Sequence, residues 1–459
     1  MRRLGYRVVD LIVAHLSTLS AKRVVRRGTA QEFATLVDEA LPLEGRGADD
    51  TLRFFAERVL PGMTLVNHPR FHAYIPCPGS FLGTLGAMLA AGTNPFTGTW
   101  LGGATLASLE LTVLRWLSEA IGYPSDAAGL LTSGGSMANL IGLAAARTRS
   151  GCDKLESMTL YFSAEGHASV EKAARLLAFP ARSLRQVPAD SSFRMRTDAL
   201  LGMIEEDERS GRYPTAVCAN AGTTNTGSID PLVEVAAICE RHGIWLHVDG
   251  AYGGFAAITP EGRSKLAGME RADSLTLDPH KWLYSPMGTG CILVRDRARL
   301  EQAFASQAAY LRDIPRDEVN FHERGPELSR PGRVLAVWML LRSAGLHQVS
   351  EQISHDLRLA RRAAELIAGD PRFELVVFPE LSVVTFRHAE KPGESEEARA
   401  ARDAALMERT LAEGTIMLST TLLNGRTALR LVVMNPRTDE AELLRSLEAI
   451  RKPEMGEPP

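Results

Sequence analysis

The spacing of apolar positions changes character along the chain. In "MRRLGYRVVDLIVAHLSTLS", Val8, Leu11, Ile12, His15 and Leu16 recur at helical spacing, while Arg7, Asp10 and His15 interrupt the apolar run. That pattern predicts an amphipathic helix rather than a secretory signal. Residues 1 to about 60 read as helices joined by the polar link "EGRGADDT", and "NHPRFHAYIPCPGS" (67–80), rich in proline and aromatics, reads as irregular. From about residue 100 to 300, helical runs such as "DPLVEVAAICERHG" alternate with short apolar strands. The clearest strands are "TLYFS" (159–163), "AVCAN" (216–220), "IWLHVD" (244–249), "SLTL" (274–277) and "CILVR" (291–295). Such alternation predicts an α/β fold with a mostly parallel central sheet covered on both faces.

Beyond about residue 345 the pattern shifts. A long helix over Val349–Ile367 leads to strands "ELVVF" and "SVVTFR", then a charged loop "AEKPGESEEARAA" and another helix. A last strand, "TALRLVVMN", precedes a final helix, and the tail "KPEMGEPP" reads as loose. This is a smaller C-terminal α+β domain. The expected division is a helical segment 1–65, a large α/β domain 66–345 and a small domain 346–459.

Composition narrows the function classes. A chain of 459 residues, 45% hydrophobic and 23% charged with a net charge of −3, is ordinary for a globular protein and gives no reason to expect nucleic acid or a membrane surface. The longest other apolar stretch, "FLGTLGAMLAAG", is too short to span a bilayer. The five cysteines, Cys77, Cys152, Cys218, Cys239 and Cys291, are scattered and form no C-x-x-C pair. They argue against a disulfide framework or zinc site and fit a reducing cytoplasm. The eleven histidines form no cluster that reads as a metal site.

The chemistry begins at "SLTLDPHKWLY", where a strand runs out and Lys281 follows between His280 and Trp282. Lysine is seldom buried without a partner. Its amine becomes a useful nucleophile when it forms a Schiff base, as with pyridoxal 5'-phosphate, PLP. PLP also needs a carboxylate at its ring nitrogen, N–H donors for its phosphate and a flat partner for its ring. Asp249 ends the apolar run of "IWLHVDGAYGGFA", with the small Gly250 and Ala251 beside it. "TSGGSMANL" reads as a tight turn opening into a helix, with Gly135 and Ser136 placed to hold an anion. His167 in "SAEGHASVEKAARLL" lies between a strand and a helix and offers a ring to stack; Thr224 in "NAGTTNTGSIDPL" offers a hydroxyl. Taken singly, each has an ordinary reading as a cap, a turn or a surface residue. Their combination carries the argument.

With these motifs in this order, the chain resembles the PLP-dependent group II amino-acid decarboxylases, a family that includes aromatic-L-amino-acid, histidine, tyrosine and glutamate decarboxylases. The resemblance runs from "GYRVVDLI" through "HPRFHAYIP", "TSGGSMANL", "GHASVEKAAR", "NAGTTNTGSIDPL", "HVDGAYGGFA" and "DPHKWLY" to "LRLVVMNPRT". It implies the aspartate-aminotransferase-like fold (fold type I) and a homodimer with shared active sites, the N-terminal segment packing on the partner. By the same resemblance Lys281 is the Schiff-base lysine, Asp249 the pyridinium partner, His167 the stacking residue and Thr224 a cofactor contact. Ala251 lies beside the ring, Gly135, Ser136 and the turn before Lys281 hold the phosphate, and His280 lies next to the cofactor.

The chain departs from the family in two places. Asp278 stands where the aromatic-amino-acid enzymes usually carry asparagine. Beside a phosphate an ionised Asp278 would have to point away, be protonated or bond another donor. Val66 and Gly98 stand where those enzymes look bulky; the expected substrate wall of Tyr74, Ile75, Pro76, Phe96 and Gly98 is apolar and favours an apolar or aromatic amino acid. The family carries a tyrosine on a mobile loop after the lysine, and Tyr310 in "QAAYLRDIPRDEVNFHERGPELSR" is the expected proton donor. If Phe321 held that place instead, the missing hydroxyl would favour oxidative decarboxylation–deamination to an aldehyde. Another fold-type-I lyase or aminotransferase, or a PLP-binding protein with a damaged site, are the remaining alternatives.

Overall fold

The computed structural model describes residues 1–149, 155–306, 309–311, 313–315 and 317–452. Cys152 and the tail 453–459 lie outside the described residues. The chain divides into two compact units: residues 77–360 with 377–383, and residues 1–76 with 361–376 and 384–459.

The first unit is built on a seven-stranded sheet. Its strands are β1 (Ala128–Thr132), β2 (Met158–Ser163), β3 (Leu184–Val187), β4 (Tyr213–Asn220), β5 (Trp245–Asp249), β6 (Ser274–Leu277) and β7 (Gly290–Val294), in the order β1-β7-β6-β5-β4-β2-β3. β7 runs antiparallel to both neighbours, and the remaining pairs are parallel. Every residue of β1, β5, β6 and β7 is buried, as strands of a sheet covered on both faces require. That is why they read as continuous apolar runs.

Parallel pairing brings strand ends into line. Asn220 at the end of β4 lies opposite Asp249 at the end of β5, and Asp249 opposite Thr276 near the end of β6. Ligands of open α/β sheets sit at this carboxyl edge. β1 reaches the same edge and turns through Gly134, at φ 151°, into the helix Gly135–Arg149.

Behind the sheet edge, Arg330 and Glu110 form an ion pair with neither side chain exposed, at 2.6 Å. Glu110 also accepts from the Leu131 amide, and Arg330 donates to the Leu131 carbonyl, so the pair fastens β1 to two distant segments.

The second unit holds a four-stranded sheet of β8 (Phe373–Val377), β9 (Val383–His388), β10 (Ser419–Leu423) and β11 (Arg426–Val432), ordered β10-β11-β9-β8. β10 and β11 form an antiparallel hairpin closed by Asn424 and Gly425, both at positive φ (51° and 75°), the backbone that an Asn-Gly hairpin turn requires. The N-terminal helix Arg2–Ser17 also belongs here and buries none of its side chains. Among the described residues no helix is long and apolar enough to cross a membrane.

Candidate active site

A cavity of about 290 Å³ opens at the carboxyl edge of the large sheet. Its wall brings together the expected cofactor contacts: Gly135, Ser136, His167, Thr224, Asp249, Ala251, Asp278, His280 and Lys281. They arrive from different connections. Gly135 and Ser136 open the helix after β1, His167 precedes the helix Ala168–Leu176, Thr224 follows β4, Asp249 ends β5 and Lys281 follows β6.

Asp249 is only 7% exposed. Its Oδ1 accepts from the Ala251 amide at 3.1 Å, and its Oδ2 from the Asn139 side-chain amide at 2.8 Å. The same Asn139 amide nitrogen donates to Ser169 Oγ at 2.9 Å. Ser169 in turn gives both its hydroxyl (2.7 Å) and its backbone N–H (3.2 Å) to His167 Nδ1. With Nδ1 accepting, the imidazole carries its proton on Nε2. On the far side, Asn139 Oδ1 lies 3.0 Å from His247 Nε2.

Lys281 Nζ lies 2.9 Å from Asp278 Oδ2. Burial alone would lower the lysine pKa, but Asp278, aided by Asp249 and Cys77, more than offsets it and the pKa is raised. Asp278 has therefore found another donor, one of the outcomes its charge demanded. Its Oδ1 is buried without a hydrogen-bond partner. His280 Nε2 stands 3.6 Å from Asp278, and its Nδ1 is 2.8 Å from the Thr289 carbonyl. Burial lowers its pKa, against the pull of Asp278.

The residues after Lys281 anchor its turn. Tyr284 sits at φ 49°, a left-handed conformation that is costly for a bulky side chain. Its hydroxyl donates to Asp356 at 2.8 Å, the Trp282 indole donates to the same carboxylate at 3.2 Å, and Gln352 supplies a third bond at 3.1 Å. Burial drives the Asp356 pKa up to about 7 despite these donors. Trp282 also stacks on Tyr252 of the cavity wall, ring centres 5.0 Å apart. So a lysine can follow a buried strand here because aspartates face it and its aromatic neighbours hold the turn.

The remaining expected positions are not on this wall. Phe96 is 37% exposed, and the Gly98 carbonyl accepts from the His322 amide at 3.0 Å. Val66, Tyr74, Ile75 and Pro76 belong to the other unit. Tyr310 occupies a short turn, Ala309–Leu311, and is 77% exposed. Phe321 is fully buried, its ring 4.6 Å from the guanidinium carbon of Arg330 and 5.7 Å from that of Arg324. A ring held between two arginines in this way does not suit a loop that closes over substrate.

Sequence reasoning missed Asn139, Ser169 and Tyr252 on the wall, and His247 behind it. The available signal, for Asn139, Tyr252 and His247, was a polar side chain set inside a largely apolar run, since such groups need partners once buried.

The wall suits PLP. It offers an amine, a buried carboxylate, an imidazole and a helix N-terminus around one space. The cradle is also shaped for close approach: a Cβ on Gly135 would come within 2.9 Å of both the Ala251 methyl and Asp278 Oδ2. Among the described residues no group of His, Cys, Asp or Glu could hold a metal ion.

Comparison with known proteins agrees. Residues 31–389 match the family described as the pyridoxal-dependent decarboxylase conserved domain. An aromatic-L-amino-acid decarboxylase of Bacillus atrophaeus is 37% identical over 454 residues, covering 98% of this chain and 95% of that protein. The crystal structure of Oryza sativa TDC with PLP and tryptamine superposes with a TM-score of 0.94 at 28% identity, over 98% of this chain and 96% of that one. That of Rhodiola rosea 4-hydroxyphenylacetaldehyde synthase does so with a TM-score of 0.91 at 28% identity, over 97% and 96%.

Proposed function

The chain belongs to the pyridoxal-dependent decarboxylase family, and we propose that within it this enzyme removes CO2 from an aromatic L-amino acid to leave the amine. The observation that carries this reading is the single cavity on which Lys281, Asp249 and His167 meet the N-terminus of the helix Gly135–Arg149. When bound, PLP supplies an aldehyde for amines and a ring that takes up the electron pair left as CO2 departs.

The residues around it have distinct tasks. Lys281 supplies the amine that holds the cofactor and that the substrate's amino group displaces. Asp249, with both oxygens already accepting N–H bonds, would face the ring nitrogen of the cofactor and stabilise the charge that develops there. His167 presents its ring face. Gly135 and Ser136 offer backbone N–H groups and a hydroxyl to the phosphate. Tyr310 Oη returns a proton to the substrate carbon, arriving on its exposed turn. Residues that orient the substrate carboxylate toward the bound cofactor would select this reaction over transamination.

The aromatic preference is supported by the likeness to the Bacillus atrophaeus aromatic-L-amino-acid decarboxylase. The functional unit is a pair of chains, in which the helix Arg2–Ser17, with no side chain buried, packs on the second copy; a monomeric holoenzyme in light scattering would remove that element. The aldehyde-forming reading keeps one supporting observation, the likeness to the Rhodiola rosea synthase. Against it stands Tyr310, which retains its hydroxyl on the exposed turn while Phe321 is locked away.

The test is product analysis of the PLP-loaded protein with a panel of L-amino acids, scoring CO2, amine and peroxide together. Amine matching CO2 from tryptophan, tyrosine or phenylalanine is expected. Aldehyde with peroxide would move the enzyme to the oxidative class, and amine from glutamate alone would overturn the aromatic assignment.

A further inference from the structure

We propose that His247 is a positioning residue for the cofactor site: through Asn139 it fixes which way the hydrogen bonds to Asp249 and His167 run. The proposal rests on reading Asp249 as the partner of the PLP ring nitrogen.

The argument starts at Trp245, whose indole N–H can only donate. It donates to Ser274 Oγ at 2.7 Å. The one hydroxyl hydrogen of Ser274 must then go to another acceptor, and His247 Nδ1 is 2.8 Å away. That leaves Nδ1 bare and puts the imidazole proton on Nε2, which faces Asn139 Oδ1 at 3.0 Å and Thr276 Oγ1 at 3.5 Å. With its oxygen so occupied, Asn139 can present only its NH2 group to Asp249 and Ser169. Donor follows donor from the interior of β5 and β6 to the carboxylate, and a branch through Ser169 bares Nε2–H of His167. A flipped amide would instead set an oxygen 2.8 Å from a carboxylate oxygen, like charge against like charge.

Two further observations mark the arrangement as built. His247 is completely buried, and burial pulls its pKa down to about 4, with Asp249 pulling the other way, so the neutral ring that this row requires is the one present. The helix Gly135–Arg149 also lacks a side chain where the imidazole sits: a Cβ on Gly142 would fall 2.6 Å from His247 Nδ1 and Cε1. Asn139 is one helical turn before that gap and has no other route to the ring.

The experiment uses the full chain with His247→Leu, His247→Gln and Asn139→Leu. PLP affinity is measured by equilibrium titration across neutral and alkaline pH, and ring-nitrogen protonation by nitrogen NMR of ring-labelled PLP. Circular dichroism and thermal melts check that each variant folds. His247→Leu is expected to weaken PLP about 10-fold and to move loss of the ring-nitrogen proton to lower pH. Glutamine can accept from Ser274 and donate to Asn139, so His247→Gln should recover most of both. Asn139→Leu leaves His247 in place and should reproduce the displaced ring-nitrogen titration, which keeps the test open where His247→Leu fails to fold. Wild-type ring-nitrogen titration in both leucine variants would overturn the proposal, as would a glutamine variant no better than leucine. Failure of the wild type to bind PLP at all would instead bring down the reading of Asp249 beneath it.

Discussion

Asp249 and Tyr310 are both assigned to the same reaction, yet their surroundings have little in common. Asp249 is 7% exposed, ends a strand whose every residue is buried, and has both oxygens engaged before any ligand arrives. Tyr310 is 77% exposed, on a turn of three residues in which nothing is buried. The difference matches the two demands of the chemistry. A developing charge is stabilised best by groups that need not reorganise, so they belong on strand ends braced from behind. A proton donor that must admit substrate before closing over it belongs on a segment with little to hold it open or shut.

The comparison can be broken at its rigid end first. Lys281→Ala should abolish turnover and, by leaving the buried Asp278 with only His280 Nε2 at 3.6 Å facing it, destabilise the cofactor-free chain by about 3 kcal/mol; a melt unchanged from wild type would show that the 2.9 Å pair does not hold the turn. Asp249→Asn should lower kcat by about 10²–10³-fold with the fold intact, read by steady-state kinetics beside a thermal melt. Tyr310→Phe addresses the exposed end. Amine formation should fall by about 10²-fold and aldehyde with peroxide should appear, while PLP affinity stays at the wild-type value because the turn does not line the cavity. A variant still making amine at the full rate would remove Tyr310 from the reaction.

The smallest expected effect is a pH shift. Asp278 is the main influence raising the Lys281 pKa against the lowering effect of burial. A raised lysine stays an ammonium to higher pH, and only the free amine condenses with an aldehyde. Asp278→Asn should therefore move the pH midpoint for PLP capture downward, as followed by absorbance. A midpoint that does not move would assign the raised value to Asp249 and Cys77 instead.

Much of the large unit was legible because its strands are buried on both faces: "SLTL" is β6 residue for residue, and β2, β4, β5 and β7 differ from expectation only at their ends. β1 and β3 were passed over for different reasons. "AGLLT" contains Gly129, where a Cβ would meet the Ile292 carbonyl at 2.3 Å, so the close packing that defines this strand is invisible as hydrophobicity. "LRQV" is an edge strand, half buried and half polar. β10 was missed although Asn424-Gly425 between two short runs is a hairpin signal. The helical span Val334–Ala368 is broken at Gly345 (φ 78°, ψ 161°), so the helix expected over Val349–Ile367 corresponds to the part after the break, and the helix before it was passed over.

At the site, the residues expected from PLP chemistry line one cavity, while the residues that orient them were not foreseen. Asn139 bonds Ser169 across 30 positions and His247 across 108, and nothing in "MANLIGLAAAR" or "IWLHVD" announces that these polar side chains meet. The expected substrate positions were the least legible part: they were inferred from apolar character alone, and none of Val66, Tyr74, Ile75, Pro76, Phe96 and Gly98 lines the cavity.

The gap at Gly142 gives the sequence a direction in time. While His247 stands there, alanine at 142 would force the ring or the helix to shift, since its methyl would lie 2.6 Å from the ring. A lineage that first lost the imidazole for something smaller would be free to fix alanine on the helix, and the histidine could not then return without a collision. Two positions on different elements are thus coupled by one contact: a methyl at 142 fits only where the side chain at 247 is smaller or displaced.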